Sequence, residues 1–244
     1  MPLELNSDDA AIIDRAKVFA RKQGKTIVAG LTDENMYPPD LSPVSVFMAG
    51  SPGAGKTEAS KALLKDIEGV VSKTVRIDPD ELRELFEEYT GDNAALFHPA
   101  ISILVDKIHD RVLKNEQNFL LDGTLSNYNI AKRNIERSLK RYRFVQILYV
   151  YQEPALAWKF VKIRELVDGR RILPEHFIEQ YFQARKVVNQ LKSDFGKEIV
   201  VTVLLKNLDG SDKVYKANVD NIDHHIPEKY SENDLLELIS SSAS

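Results

Sequence analysis

Gly50-Ser51-Pro52-Gly53-Ala54-Gly55-Lys56-Thr57 is the stretch on which the reading of this chain turns. It fits G-x-x-x-x-G-K-[ST], a pattern that points several backbone N–H groups at one anion; glycine permits the backbone angles and the close approach this needs. The flanks supply the context the pattern requires. Val44–Ala49 is a short apolar run that reads as a strand, and residues 56–64 have helical character. The loop therefore opens a helix whose N-terminal dipole adds to the cradle. Residues Gly50, Ser51, Pro52, Gly53, Ala54, Gly55, Lys56 and Thr57 are the expected nucleotide-binding set. Lys56 brings a mobile positive charge to the β- and γ-phosphates of ATP, and Thr57 offers a hydroxyl to Mg2+. A glycine-rich turn that binds nothing is the bland alternative, and the strand before and helix after weigh against it.

Working outward, strand and helix patterns alternate. Residues 73–77, 118–121 and 144–151 read as strands. Residues 80–89, 101–113, 155–167 and 174–192 read as helices, with Ile101, Leu104, Ile108 and Val112 on one stripe. Such alternation predicts an α/β fold, a mostly parallel sheet flanked by helices, with ligands at the carboxyl ends of the strands. The expected division is an N-terminal helical extension over 1–43, a core over 44–195 and a small β-rich and helical appendage over 196–244. In the extension, residues 7–23 read as an amphipathic helix with Ser7 as N-cap and Gly24 as its stop. In the appendage, strands over 198–205 and 214–219 flank a turn at Leu208-Asp209-Gly210-Ser211, and a last helix starts at Ser231.

Composition narrows the function. With 244 residues, 43% of them hydrophobic, the chain can bury a real core. Lys plus Arg number 33 against 37 Asp plus Glu, where a protein gripping nucleic acid through its phosphates needs a basic excess. Nucleic acid is not the expected partner. There is no Cys, which removes disulfides, thiolate metal sites and thiol nucleophiles. The acidic start MPLELNSDDA is unlike a secretion signal, and the longest apolar run, Phe144–Tyr151, is too short for a bilayer. A cytoplasmic protein without a membrane partner is expected.

Two further strand ends carry acid. The run 73–77 ends in Asp78-Pro79-Asp80, and a carboxylate there can accept the proton of an attacking hydroxyl. Asp is equally at home capping the next helix, and spacing alone leaves open which of the two does which. Asp122-Gly123-Thr124 follows the run 118–121, where P-loop enzymes often hold the metal or its water shell. Arg164, Arg170 and Arg171 cluster on and just after a helix; they can stabilise a transferring phosphoryl group or simply complement the helix dipole.

Taken in order, these stretches resemble the zeta-toxin family of P-loop kinases, the toxin halves of bacterial toxin–antitoxin pairs. The likeness covers residues 44–192: the phosphate loop, Ile77-Asp78-Pro79-Asp80, His98-Pro99 before a helix bearing Asp106, Asp122-Gly123-Thr124, and Arg164 and Arg171 ahead of Pro174. The resemblance implies an enzyme that phosphorylates a hydroxyl of UDP-N-acetylglucosamine with ATP and Mg2+, and an antitoxin protein as a partner. It implies Asp80 as general base, Lys56 as the phosphate-loop lysine, and Arg164 and Arg171 as the clamp on the transferring phosphate. Thr57 and Asp122 are the expected metal residues, and Asp78, Arg83, Asp106 and Thr124 the expected neighbours of the acceptor. Asp106 and Asp122 stand where the family usually has Glu, one methylene longer. Two other readings compete: a P-loop kinase acting on an antibiotic, a small metabolite or a polynucleotide end, and a nucleotide-gated binding module.

Overall fold

The computed structural model describes residues 6–67, 69, 72–207, 209, 212–227 and 229–241. Its centre is strand β1 (Val44–Ala49), with every residue after the first buried. Successive side chains alternate faces: Phe47 and Ala49 join the larger apolar core, while Val46 and Met48 join a smaller one with Leu120, Leu148, Val150 and Leu204.

In chain order the elements are α1 (Ser7–Leu31), β1, α2 (Lys56–Asp66), β2 (Val75–Ile77), α3 (Pro79–Arg83), α4 (His98–Lys114), β3 (Phe119–Leu121) and α5 (Tyr128–Leu139). There follow β4 (Phe144–Tyr151), α6 (Pro154–Asp168), α7 (Pro174–Phe195), β5 (Val200–Lys206), β6 (Asp212–Lys216) and α8 (Glu232–Ser241). The sheet order is β2-β3-β1-β4-β5-β6. The first five strands run parallel, and β6 closes one edge antiparallel to β5. From β1 the chain first builds toward β2 and β3, then crosses to β4 and β5. The loop after β1 therefore sits at the point where the winding reverses, the crevice in which open α/β sheets bind ligands.

This is the α/β architecture that alternation predicts, with local differences. Helix α1 is capped by Asn6 in a reciprocal box with Asp9, not by Ser7, and it does not stop at Gly24. Gly24 is buried under α4, where Lys107 Nζ donates to the carbonyls of Ala20 at 3.3 Å and Arg21 at 3.2 Å. A Cβ on Gly24 would lie 2.7 Å from that nitrogen, so the glycine marks a close approach. Helix α3 ends at Arg83, short of the expected 89, because Phe86 turns inward against Phe19 and Phe97 with ring centroids 5.1 and 5.3 Å away. Helix α5 has no counterpart in the sequence reading.

The stretch 196–244 supplies β5, which pairs along β4 from Gln146↔Val200 to Tyr151↔Leu205 and continues the sheet. Apart from Asp209, the turn expected at 208–211 lies outside the described residues, and β6 begins at Asp212, before the expected 214. No helix among the described residues is long and apolar enough to cross a membrane.

Candidate active site

The phosphate loop is built on glycines that no other residue can replace. Gly50 has φ +137° and lies against β4, where a Cβ would sit 2.3 Å from the Val150 carbonyl oxygen. Gly53 has φ +71°, and a Cβ there would be 2.0 Å from the Ala157 carbonyl oxygen of α6. Both obstacles are backbone. Gly55, left-handed at φ +82°, is the N-cap of α2, and no side chain among the described residues caps that helix. Its first N–H groups thus point into the cleft, as anion binding requires. Lys56 Nζ donates to the carbonyls of Gly50 at 3.0 Å and Ser51 at 2.7 Å. Burial pulls its ammonium down to about 8; Asp122 and Asp80 oppose that fall, and Arg170 and Arg164 add to it.

Asp78 and Asp80 have different partners. Asp78 is the N-cap of α3, accepting from the Asp80 amide at 2.8 Å. Burial raises its carboxyl above the ordinary value, against the pull of that amide and Arg76. Asp80, two residues on, faces a different set of partners. It is ion-paired to Arg83 and Arg170, with Arg164 Nη2 at 3.6 Å. Burial alone would raise the Asp80 carboxyl, but Arg170, Arg83 and Arg164 outweigh it and hold it below its usual value. Asp80 is therefore a carboxylate at neutral pH.

A residue that sequence reading passed over ties these parts together. Arg76 on β2 reaches Asp78 at 2.5 Å, Asp122 at 2.6 Å and Glu81 at 2.5 Å, and its Nε donates to Ser60 Oγ at 3.2 Å. Ser60, on α2, in turn donates to Asp122 at 2.8 Å. One guanidinium so locks the ends of β2 and β3 to the helix behind the phosphate loop. An arginine inside a three-residue strand carries no local signal of this; only the pairing of β2 with β3 reveals it.

One cleft of about 1010 Å³ is lined by Lys56, Thr57, Asp78, Asp80, Arg83, Asp122 and Thr124; Gly50, Ser51 and Arg76 are not among its lining residues. Asp106 lines it too, with its carboxylate 2.9 Å from Arg133 of α5. Thr124 Oγ1 lies 3.0 Å from Ser126 Oγ. Of the three clustered arginines, Arg164 and Arg170 line the cleft. Arg171 does not: its side chain is 68% exposed, with its Nε 3.8 Å from Glu165. Among the described residues no group of three or more His, Cys, Asp or Glu converges as a metal cage. A Mg2+ ion does not need one, since it takes one or two protein oxygens and completes its shell with substrate phosphates and water. The Thr57 hydroxyl and the Asp122 carboxylate fit that sparse donor set.

A family model described as Zeta toxin matches residues 28–220. This chain belongs to the zeta toxin family. A curated relative, Toxin PezT of Streptococcus pneumoniae serotype 4, is 25% identical over 129 residues, 50% of this chain and 50% of PezT. The chain thus spans about half the length of the curated relative it matches. Among solved structures, a chain of the PezAT chromosomal toxin–antitoxin system of Streptococcus pneumoniae superposes with a TM-score of 0.65 at 18% identity, covering 95% of this chain and 97% of that one. A chain of the AvrRxo1-ORF1:-ORF2 complex with ATP superposes with a TM-score of 0.57 at 16% identity, covering 96% of this chain and 73% of that one. At such identities these two establish a shared fold.

Proposed function

We propose that this zeta-toxin-family chain is an ATP-dependent phosphotransferase whose acceptor is a hydroxyl of a sugar nucleotide of the UDP-N-acetylglucosamine kind. The observation that carries the reading is Asp80, an ionised carboxylate ringed by Arg83, Arg164 and Arg170 in the same cleft as Lys56. A pure nucleotide switch has no use for that carboxylate. The acceptor hydroxyl gives its proton to Asp80 as its oxygen bonds to the γ-phosphorus; the bond from that phosphorus to the β–γ bridging oxygen breaks, and ADP departs. Phosphoryl transfer passes through a loose transition state, so a weakly basic carboxylate suffices: its main task is to aim the hydroxyl. Arg164 and Arg170 are placed to turn from Asp80 to the oxygens of the moving phosphoryl group, where a planar fork matches the geometry. A Mg2+ ion held by Thr57 and Asp122 would supply positive charge to offset that of the polyphosphate.

Arg170 is here assigned the role that resemblance gives to Arg171, because Arg170 is the one that reaches Asp80. A protein partner is part of the proposal as well, since one similar structure comes from a toxin–antitoxin system.

The test is direct. The purified chain with ATP, Mg2+ and UDP-N-acetylglucosamine is expected to release ADP and yield a phosphorylated sugar nucleotide, read by mass spectrometry. Arg170→Ala is expected to lower kcat about a hundredfold, in the range for losing a transition-state donor, and Arg171→Ala to change it less than about threefold. ADP release with no labelled sugar nucleotide, or with another acceptor labelled, overturns the substrate. The reverse order of the two arginine variants overturns the assignment of Arg170.

A further inference from the structure

We propose that His98 is a positioning residue for phosphoryl transfer: its neutral imidazole holds the Arg83 guanidinium in the orientation that aims Asp80 at the acceptor hydroxyl. This rests on the reading of Asp80 as general base and adds a residue behind it. His98 is the first residue of α4; it is exposed and lines the cleft with Arg83 and Asp80. Its Nδ1 lies 3.4 Å from Arg83 Nη2. The other terminal nitrogen of Arg83, Nη1, is ion-paired to Asp80 Oδ1, while Arg170 takes Oδ2. The Arg83 side chain is 3% exposed, and its Nε finds no hydrogen-bond partner among the described residues. The plane of its fork is therefore set by the contacts at Asp80 and His98.

The chemistry of the pair fixes its protonation. A guanidinium only donates, so His98 Nδ1 accepts and the ring proton sits on Nε2. An imidazolium has no lone pair to offer, and its charge repels the arginine. The contact exists only while His98 is neutral. Its surroundings favour that state. Partial loss of solvent lowers the His98 pKa, Arg83 and Arg170 lower it further, Asp80 opposes them, and His176 of α7 adds slightly to the fall. The contact matters most during transfer. When Arg164 and Arg170 turn to the moving phosphoryl group, Arg83 is the cation that stays on Asp80. A neutral His98 keeps that fork from swinging after the phosphate as well, and the carboxylate stays aimed.

The experiment pairs pH profiles of kcat with NMR titration of the imidazoles, of which the chain has five. His98→Ala is expected to lower kcat about tenfold, the scale of one hydrogen bond to a charged group, with KM for ATP unchanged. His98→Asn, whose Oδ1 stands in for Nδ1 and does not titrate, should recover most of the loss. As pH falls, wild type should lose turnover as His98 gains its proton, below the ordinary histidine value of about 6.5. His98→Asn should lack that limb and fall only at the lower pH where Asp80 protonates. In the NMR titration, Arg83→Gln should move the His98 midpoint up and Asp80→Asn should move it down. The proposal is overturned if His98→Ala turns over as wild type does, if His98→Asn is no better than His98→Ala, or if Arg83→Gln leaves the His98 midpoint in place. Should wild type phosphorylate no acceptor at all, the phosphotransferase reading falls and the aiming role with it, whereas the NMR midpoints still report whether the contact with Arg83 exists.

Discussion

Lys56 and Asp80 both hold their protons less firmly than the free side chains do, for different reasons. The Asp80 carboxyl stays ionised because three arginines surround it. The Lys56 ammonium is held less firmly than in water because burial strips its solvation and leaves it a pKa of about 8. A polyphosphate beside it reverses that loss, so nucleotide binds the protonated form and raises its pKa. The sign follows. Below pH 8 the free protein already carries the proton; above it, binding must recruit one. ATP affinity is expected to fall as pH rises through about 8 and to be accompanied by proton uptake, measurable by titration in two buffers of different ionisation enthalpy. Binding at pH 9 with no proton uptake would show that Lys56 is not the group in contact. Arg170 and Arg171 show how finely residues are sorted here. Helix α6 ends at Gly169, left-handed at φ +70°, and beyond it neighbouring side chains no longer share a face. One arginine therefore meets Asp80 while the next meets water.

At the scale of elements, the glycines separate those that position the site from those that merely occupy a helix. Gly53→Ala would force a Cβ onto the Ala157 carbonyl in a left-handed conformation, so the variant is expected to lose nucleotide binding and to melt earlier. Gly30, in the last turn of α1 with nothing within 4 Å of its missing Cβ, is the opposite case. Gly30→Ala is expected to stabilise the fold by about 0.5–1 kcal/mol through helix propensity, with ATP affinity unchanged; denaturant melts check both. These contrasts also explain what could be read before any coordinates. The phosphate loop and β4 were legible because their signals are local: a spaced glycine pattern and an eight-residue apolar run. Helix α5 was not, because its buried face consists of Ala131, Asn134, Ile135 and Ser138, with one large apolar residue among them. Gly24 read as a stop because nothing local distinguishes a glycine that ends a helix from one that admits a neighbour's lysine. The choice between Asp78 and Asp80 was equally closed to spacing, since it depends on which carboxylate Arg76 and which Arg170 can reach.

For the molecule as a whole, the sheet binds distant segments into one unit. Helix α1 packs along α4, the helix that carries Ile101, Ser102, Val105 and Asp106 into the cleft, yet no residue of α1 lines the cleft itself. It supports one wall and does not obstruct the opening. Strand β5 has the larger consequence, because it covers the side of β4 that faces away from β1. A chain ended at residue 195 would leave that apolar edge bare. It is expected to be insoluble or to associate; a soluble, cooperatively melting 1–195 fragment would show that the edge tolerates exposure.

The place of β5 in the chain also sets an order in time. Translation adds roughly 5–20 residues per second, so β4 leaves the ribosome on the order of seconds before the strand that shields it. During that interval the phosphate loop is already made, but Lys206 and the neighbouring wall of the cleft are not. On the proposed function, the cleft would stay incomplete on the ribosome until β5 has been made.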